Sequence, residues 1–211
     1  MRNFAGACSG ELLLTPARCL CHRLLPQHFR AAARSPAPHR DAAVVDADVA
    51  RSLWHFAPRA SEDELEAQRA ELKELLNGVC GANAGEVHYY QGLHDVASVL
   101  LLTLGQRAAF VALERLARTH LREYVRSDLS ASLVRLELLP VLLRRVCAPL
   151  AEFCFERAGA PPHFALSWII TWFAHDCRDL EIAKRASVTA RAASATRAHS
   201  TSHSPPSGGP F

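Results

Sequence analysis

No apolar run in this sequence approaches the roughly 20 residues that span a bilayer. The two longest, Val96–Leu104 and Phe164–Ala174, are about half that length, which argues against a transmembrane helix. Paired cysteine motifs are also lacking. Seven Cys are scattered along 211 residues, and Cys19-Leu20-Cys21-His22 has no matching second pair at zinc-ligand spacing. An odd cysteine count in a chain that is 49% hydrophobic points to reduced thiols in the cytosol, not to a disulfide framework. Acid is nearly absent from both ends. Residues 1–40 hold six Arg against Glu11 alone, and residues 183–211 hold Lys184, Arg185, Arg191 and Arg197 with no Asp or Glu. The formal charge of +3 therefore divides into +5 and +4 at the ends and −6 for residues 41–182. An acidic foldable middle argues against a nucleic-acid partner despite the basic total. Alternating strand patterns are missing as well.

What is present is helical periodicity over one domain's length. Residues 1–40 read as a basic leader without fixed structure, or alternatively as an Arg-rich transit peptide. Arg34-Ser35-Pro36-Ala37-Pro38-His39-Arg40 joins that leader to a domain over 41–182. Val45, Val49, Leu53 and Phe56 predict one helix stopped by Pro58, with Arg51 off its buried stripe. Ser61-Glu62-Asp63-Glu64 has capping-box form and predicts a second helix that buries Leu65, Leu72, Leu75, Leu76 and Val79. Leu93–Leu104 is apolar almost all round and predicts a central core helix, with Gly105 at its C-terminal cap. Further helices are predicted over 106–126, 129–147 with a kink at Pro140, 149–158, and 164–180 after Pro161-Pro162. Residues 183–211 turn to Ala, Ser, Thr and Arg and predict a disordered low-complexity tail. The expected class is all-α, an array of six or seven helices.

The sharpest local feature is His88-Tyr89-Tyr90-Gln91-Gly92-Leu93-His94-Asp95, at a loop-to-helix junction. Gln91 there would present its amide outward from a rigid support, while Gly92 would let a partner approach closely. The alternative from the residues alone is a Gln capping the first turn, with Tyr89 and Tyr90 filling core gaps.

Tyr89-Tyr90-Gln91-Gly92 resembles the Y-x-Q-G motif of the TBC-domain Rab GTPase-activating proteins. Upstream, Val45-Asp46-Ala47-Asp48-Val49-Ala50-Arg51 resembles that family's I-P-x-D-x-x-R motif, in the family's order. Asp48 and Arg51 match it; Val45 stands for Ile, Asp46 for Pro, and His94 for a common Asn. Phe164–Phe173 resembles the family's later aromatic helix. The resemblance covers about 41–182. Its opening R-x-x-x-W helices are not visible in residues 1–40, and its later helices give way to the tail after Ile182, as expected of a shortened product.

The resemblance implies a chain that is not itself an enzyme but acts in trans on a Rab-family small GTPase. Arg51 would be the arginine finger and Gln91 the glutamine finger, with Asp48, Tyr89, Tyr90 and Gly92 in support. Phosphoryl transfer spreads charge over the γ-phosphate oxygens, so a planar guanidinium to neutralise it and an amide to place the attacking water suit the task. The implied cofactor requirement is none of its own, since GTP and Mg would come with the partner. The implied location is cytoplasmic, reaching endoplasmic reticulum or Golgi membranes through partners. Two other readings compete. A shortened domain would bind a Rab without stimulating it. The HD dipeptides His94-Asp95 and His175-Asp176, with His55 or His88 and Asp179, would instead suit a metal-dependent phosphohydrolase.

Overall fold

The computed structural model describes residues 39–126 and 130–189, and every described element is helical. The leader over 1–38 and the tail over 190–211 lie outside the described residues. Helix α1 (Ala42–Ala50) packs on α2 (Glu62–Ala82), and both pack on α3 (Leu93–Leu104). Helix α4 (Gln106–Arg118) lies against α2 and α3. Beyond it come α5 (Ser130–Leu136), α6 (Leu138–Val146) and α7 (Ala148–Ala151), the last widening into a π-helical turn over Glu152–Arg157. A 3-10 turn, Pro162–Ala165, leads into α8 (Leu166–Ile170), and residues 180–189 form a last helix.

The start of α2 follows from its sequence. Ser61 accepts from the Glu64 backbone N–H while the Glu64 carboxylate accepts from the Ser61 N–H, and Glu62, Asp63 and Glu64 complement the helix dipole. Leu72, Leu75, Leu76 and Val79 are fully buried, each contributing about 2 kcal/mol of hydrophobic stabilisation. Helix α3 supplies the centre of the same core through Leu93, Val96, Ala97 and Leu101. It ends where expected, at Gly105, whose φ of 72° suits glycine and whose N–H reaches the Leu101 carbonyl.

Several boundaries differ from the periodicity. The first helix stops at Ala50, not at Pro58, because the Ser52 N–H and hydroxyl both bond the Val49 carbonyl and Leu53 then turns left-handed at φ 71°. That turn still buries Leu53 and Phe56, so the apolar stripe is real although it does not belong to one helix. The helix expected over 106–126 ends at Arg118. The one expected over 129–147 is two helices broken at Glu137, since Pro140 has no N–H to offer the Leu136 carbonyl. The helix expected over 164–180 ends at Ile170, whose carbonyl accepts from the Tyr90 hydroxyl at 2.7 Å. That carbonyl would otherwise accept from Ala174, and Trp172 and Phe173 instead take left-handed φ of 52° and 65°. Residues 183–189, expected to belong to the disordered tail, continue the last helix, with Ala183 buried against Phe56, Val99 and Ala174.

Candidate functional site

Arg51 and Gln91, separate in sequence, line one open groove of about 710 Å³. Arg51 caps the C-terminus of α1, so its backbone is fixed by bonds to Asp48 and Val49 while its side chain is 62% exposed. The guanidinium pairs through Nη2 with Asp48 Oδ1. Asp48 is 2% exposed, so this is not a fully solvated i,i+3 ion pair. One guanidinium nitrogen is held against a buried carboxylate, and the rest of the fork is left to the groove.

Gln91 is exposed between two buried anchors. Before it, Tyr90 is fixed by its bond to Ile170; after it, Gly92 is the N-cap of α3 at φ 109°. A Cβ on Gly92 would stand 2.7 Å from the Thr171 methyl. Glycine is thus required by internal packing and backbone sign, a reason different from the partner approach expected of it. Tyr89 is likewise no mere gap filler. It donates to Asp48 Oδ2 at 2.6 Å, its backbone N–H reaches Asp41 Oδ2 at 3.0 Å, and its oxygen lies 2.9 Å from His94 Nδ1. Burial, then the Asp48 hydrogen bond, push its phenol well above the ordinary range.

Sequence reasoning missed two other residues of the groove. Trp54 is exposed on the lip next to Arg51, thrown outward by the left-handed Leu53, and Arg178 adds a second exposed guanidinium. Leu166, Ser167, Ile170 and Thr171 form the facing wall, so the aromatic stretch contributes through its first turn and the bend after it. No periodicity announces such a wall, since it depends on where the helix stops.

The two HD dipeptides do meet. His175 Nδ1 lies 2.9 Å from Asp95 Oδ2, and His94 Nε2 lies 3.4 Å from Asp95 Oδ1. Yet among the described residues no three His, Cys, Asp or Glu side chains come together as a metal-ligand set, so the donor geometry does not support the phosphohydrolase reading. His94 and His55 are both held below the ordinary imidazole range by burial, partly offset by Asp95.

A family model described as "Rab-GTPase-TBC domain" matches residues 29–185. The chain belongs to this family. The TBC match starts before the expected boundary at residue 41 and runs past Ile182. It therefore takes in part of the leader, and it reaches into the last helix. The chain is 36% identical over 132 residues to TBC1 domain family member 20 of Bos taurus and 35% identical over the same length to that of Homo sapiens. Each alignment covers 63% of this chain and 32% of the relative. It is also 34% identical over 151 residues to GTPase-activating protein gyp10 of Schizosaccharomyces pombe, covering 72% of this chain and 39% of that protein. The TBC chain thus spans about a third of the length of these relatives. No described helix is long and apolar enough to cross a membrane.

Proposed function

We propose that this TBC chain accelerates GTP hydrolysis by a Rab-family small GTPase, with Arg51 supplying charge to the γ-phosphate and Gln91 placing the attacking water. The observation that supports this reading is the single groove that both side chains line, as two groups acting on one reacting centre would have to. Arg51 acts through the guanidinium N–H groups that Asp48 leaves free, donating to oxygens on which charge develops. Gln91 offers an acceptor for the water's proton and a donor toward the phosphate from a backbone held on both sides. The protein is then an activator that completes its partner's active site, and the nucleotide and Mg belong to that partner.

Single-turnover hydrolysis by a panel of purified, GTP-loaded Rab proteins tests the proposal. Stimulation of at least one Rab, lost in Arg51→Ala, is the expected result. Stimulation of none, or stimulation that survives Arg51→Ala, overturns it. A second reading, Rab binding without stimulation, is favoured by one observation. Helix α6 buries no residue and exposes Leu138, Val141, Leu142 and Val146, leaving a large apolar face bare. Binding of a GTP-loaded Rab with no rate increase identifies that case.

A further inference from the structure

We propose that His94 is a positioning residue for Arg51. In one fixed tautomer it orients the Tyr89 hydroxyl, which holds the Asp48 carboxylate against the Arg51 guanidinium. This rests on the reading of Arg51 as the group that reaches the phosphates. His94 itself, in the first turn of α3, lines the floor of the same groove but is only 6% exposed, so it does not reach out of the wall as Arg51 and Gln91 do.

The direction of each proton follows from what the partners can do. Asp48 is a carboxylate and can only accept, so the single Tyr89 proton lies in the 2.6 Å bond to Asp48 Oδ2. The 2.9 Å contact between the Tyr89 oxygen and His94 Nδ1 then needs its proton from the imidazole. Burial favours the neutral ring, and a single proton that serves the Tyr89 oxygen sits on Nδ1 and leaves Nε2 bare. The result is a directed chain from His94 Nδ1–H to the Tyr89 hydroxyl to Asp48 Oδ2, while Asp48 Oδ1 accepts from Arg51. Successive bonds in such a chain polarise and strengthen one another.

The opposite tautomer would reverse it. A bare Nδ1 would draw the Tyr89 proton to itself, and the Tyr89 oxygen would face Asp48 with a lone pair. Asp95 pulls toward that tautomer from the Nε2 side, but from 3.4 Å and with its other oxygen engaged by His175 at 2.9 Å. The shorter Nδ1 contact, with Asp48 Oδ2 also 3.5 Å from Nδ1, favours the first tautomer. Thus the tautomer of a residue outside both finger motifs decides whether Asp48 is free to hold Arg51.

Amide isosteres separate this role from space filling. The Asn side-chain nitrogen falls where Nδ1 stands, and the Gln nitrogen where Nε2 stands. His94→Asn therefore restores the donor to Tyr89, whereas His94→Gln directs its amide toward Asp95. Two measurements on wild type, His94→Asn and His94→Gln make the test. One is single-turnover hydrolysis by the panel of GTP-loaded Rab proteins. The other is solvent exchange of the Arg51 Nη–H groups, one of which bonds Asp48, in the isolated chain by 15N NMR, assigned by their loss in Arg51→Lys. His94→Asn should keep most of the stimulation. His94→Gln should lose about tenfold to a hundredfold in maximal rate at an unchanged half-saturating concentration, the scale of a misplaced group. Exchange of the Asp48-bonded Arg51 Nη–H should be slow in wild type and His94→Asn and fast in His94→Gln. Equal rates and equal exchange in the two variants would overturn the proposal, as would a loss confined to the half-saturating concentration. If wild type stimulates no Rab, the function proposed above fails, and the exchange measurement alone decides the role of His94.

Discussion

Tyr89 donates its hydroxyl proton to Asp48 at 2.6 Å across 41 residues of chain, tying the loop that carries Gln91 to the helix end that carries Arg51. Asp48 is buried and cannot turn to water for a replacement donor. Tyr89→Phe keeps the ring and removes only the hydroxyl, so it should lower unfolding stability by about 1–3 kcal/mol, the cost of a buried polar group that loses a partner. Urea denaturation with an unchanged m-value would check this. A stability equal to wild type would mean that Asp48 is satisfied without Tyr89.

Gly92 meets two independent demands, a φ of 109° and a Thr171 methyl 2.7 Å from where a Cβ would stand. Gly92→Ala should therefore cost at least about 2 kcal/mol from backbone strain and the clash together. Gly92→Ala with Thr171→Ser removes the clashing methyl but keeps the hydroxyl that bonds the Ser167 carbonyl, and leaves the φ strain in place. Thermal melts should place the double variant between wild type and Gly92→Ala. Equality with Gly92→Ala would show that strain alone dominates.

The histidines beneath the groove give a pH dependence of definite sign. His94 faces Asp48 and Arg51 from α1, Asp95 on its own helix, and His175 from the bend after α8; His55 faces Asp95, His175, His94 and Arg178. Burial holds both imidazoles below the ordinary value of 6.5, so the unfolded chain takes up protons more readily than the folded one as pH falls through that value. Their contribution to stability is present above pH 6.5 and is lost as pH falls through the lower folded values. Tm should decline on acidification from neutrality, and His94→Asn should flatten part of that decline. An unchanged slope in His94→Asn would assign the effect to His55 or to other groups.

The helical class, the capping box at Ser61 and the core helix ending at Gly105 were legible because each is local. A serine three residues before a glutamate, or a glycine after an apolar run, acts on its own neighbours. Arg51 and Gln91 were legible as candidates through short motifs, and the structure sets both on one groove. What escaped was set at long range. The stop of α8 coincides with a bond to the Ile170 carbonyl from the hydroxyl of Tyr90, 80 residues upstream, and His175 and Arg178 reach the groove from the chain beyond that stop. The end of α1 escaped for a different reason. Its apolar stripe continues through Leu53 and Phe56 although the helix does not, since a left-handed residue can return a side chain to the same core face.

Arg51 and Gln91 line one groove from different elements, α1 and the turn before α3, so their substitutions can be made independently and compared. Arg51→Ala should remove most stimulation of a responsive Rab, because a guanidinium placed on the transferring phosphoryl group is worth on the order of 10³–10⁵ in rate. Arg51→Lys should restore little of it. An ammonium keeps the charge but cannot donate to Asp48 and to two phosphate oxygens in one plane. Gln91→Ala should cost a comparable amount in maximal rate, since a water left unplaced slows the same step. Both residues would act on one transition state, so the double variant should be little slower than either single one, the non-additivity of groups that work as a unit. Single-turnover rates for the four proteins form the measurement, with circular dichroism confirming that each remains helical. Rates that multiply in the double variant would mean that the two side chains serve separate steps.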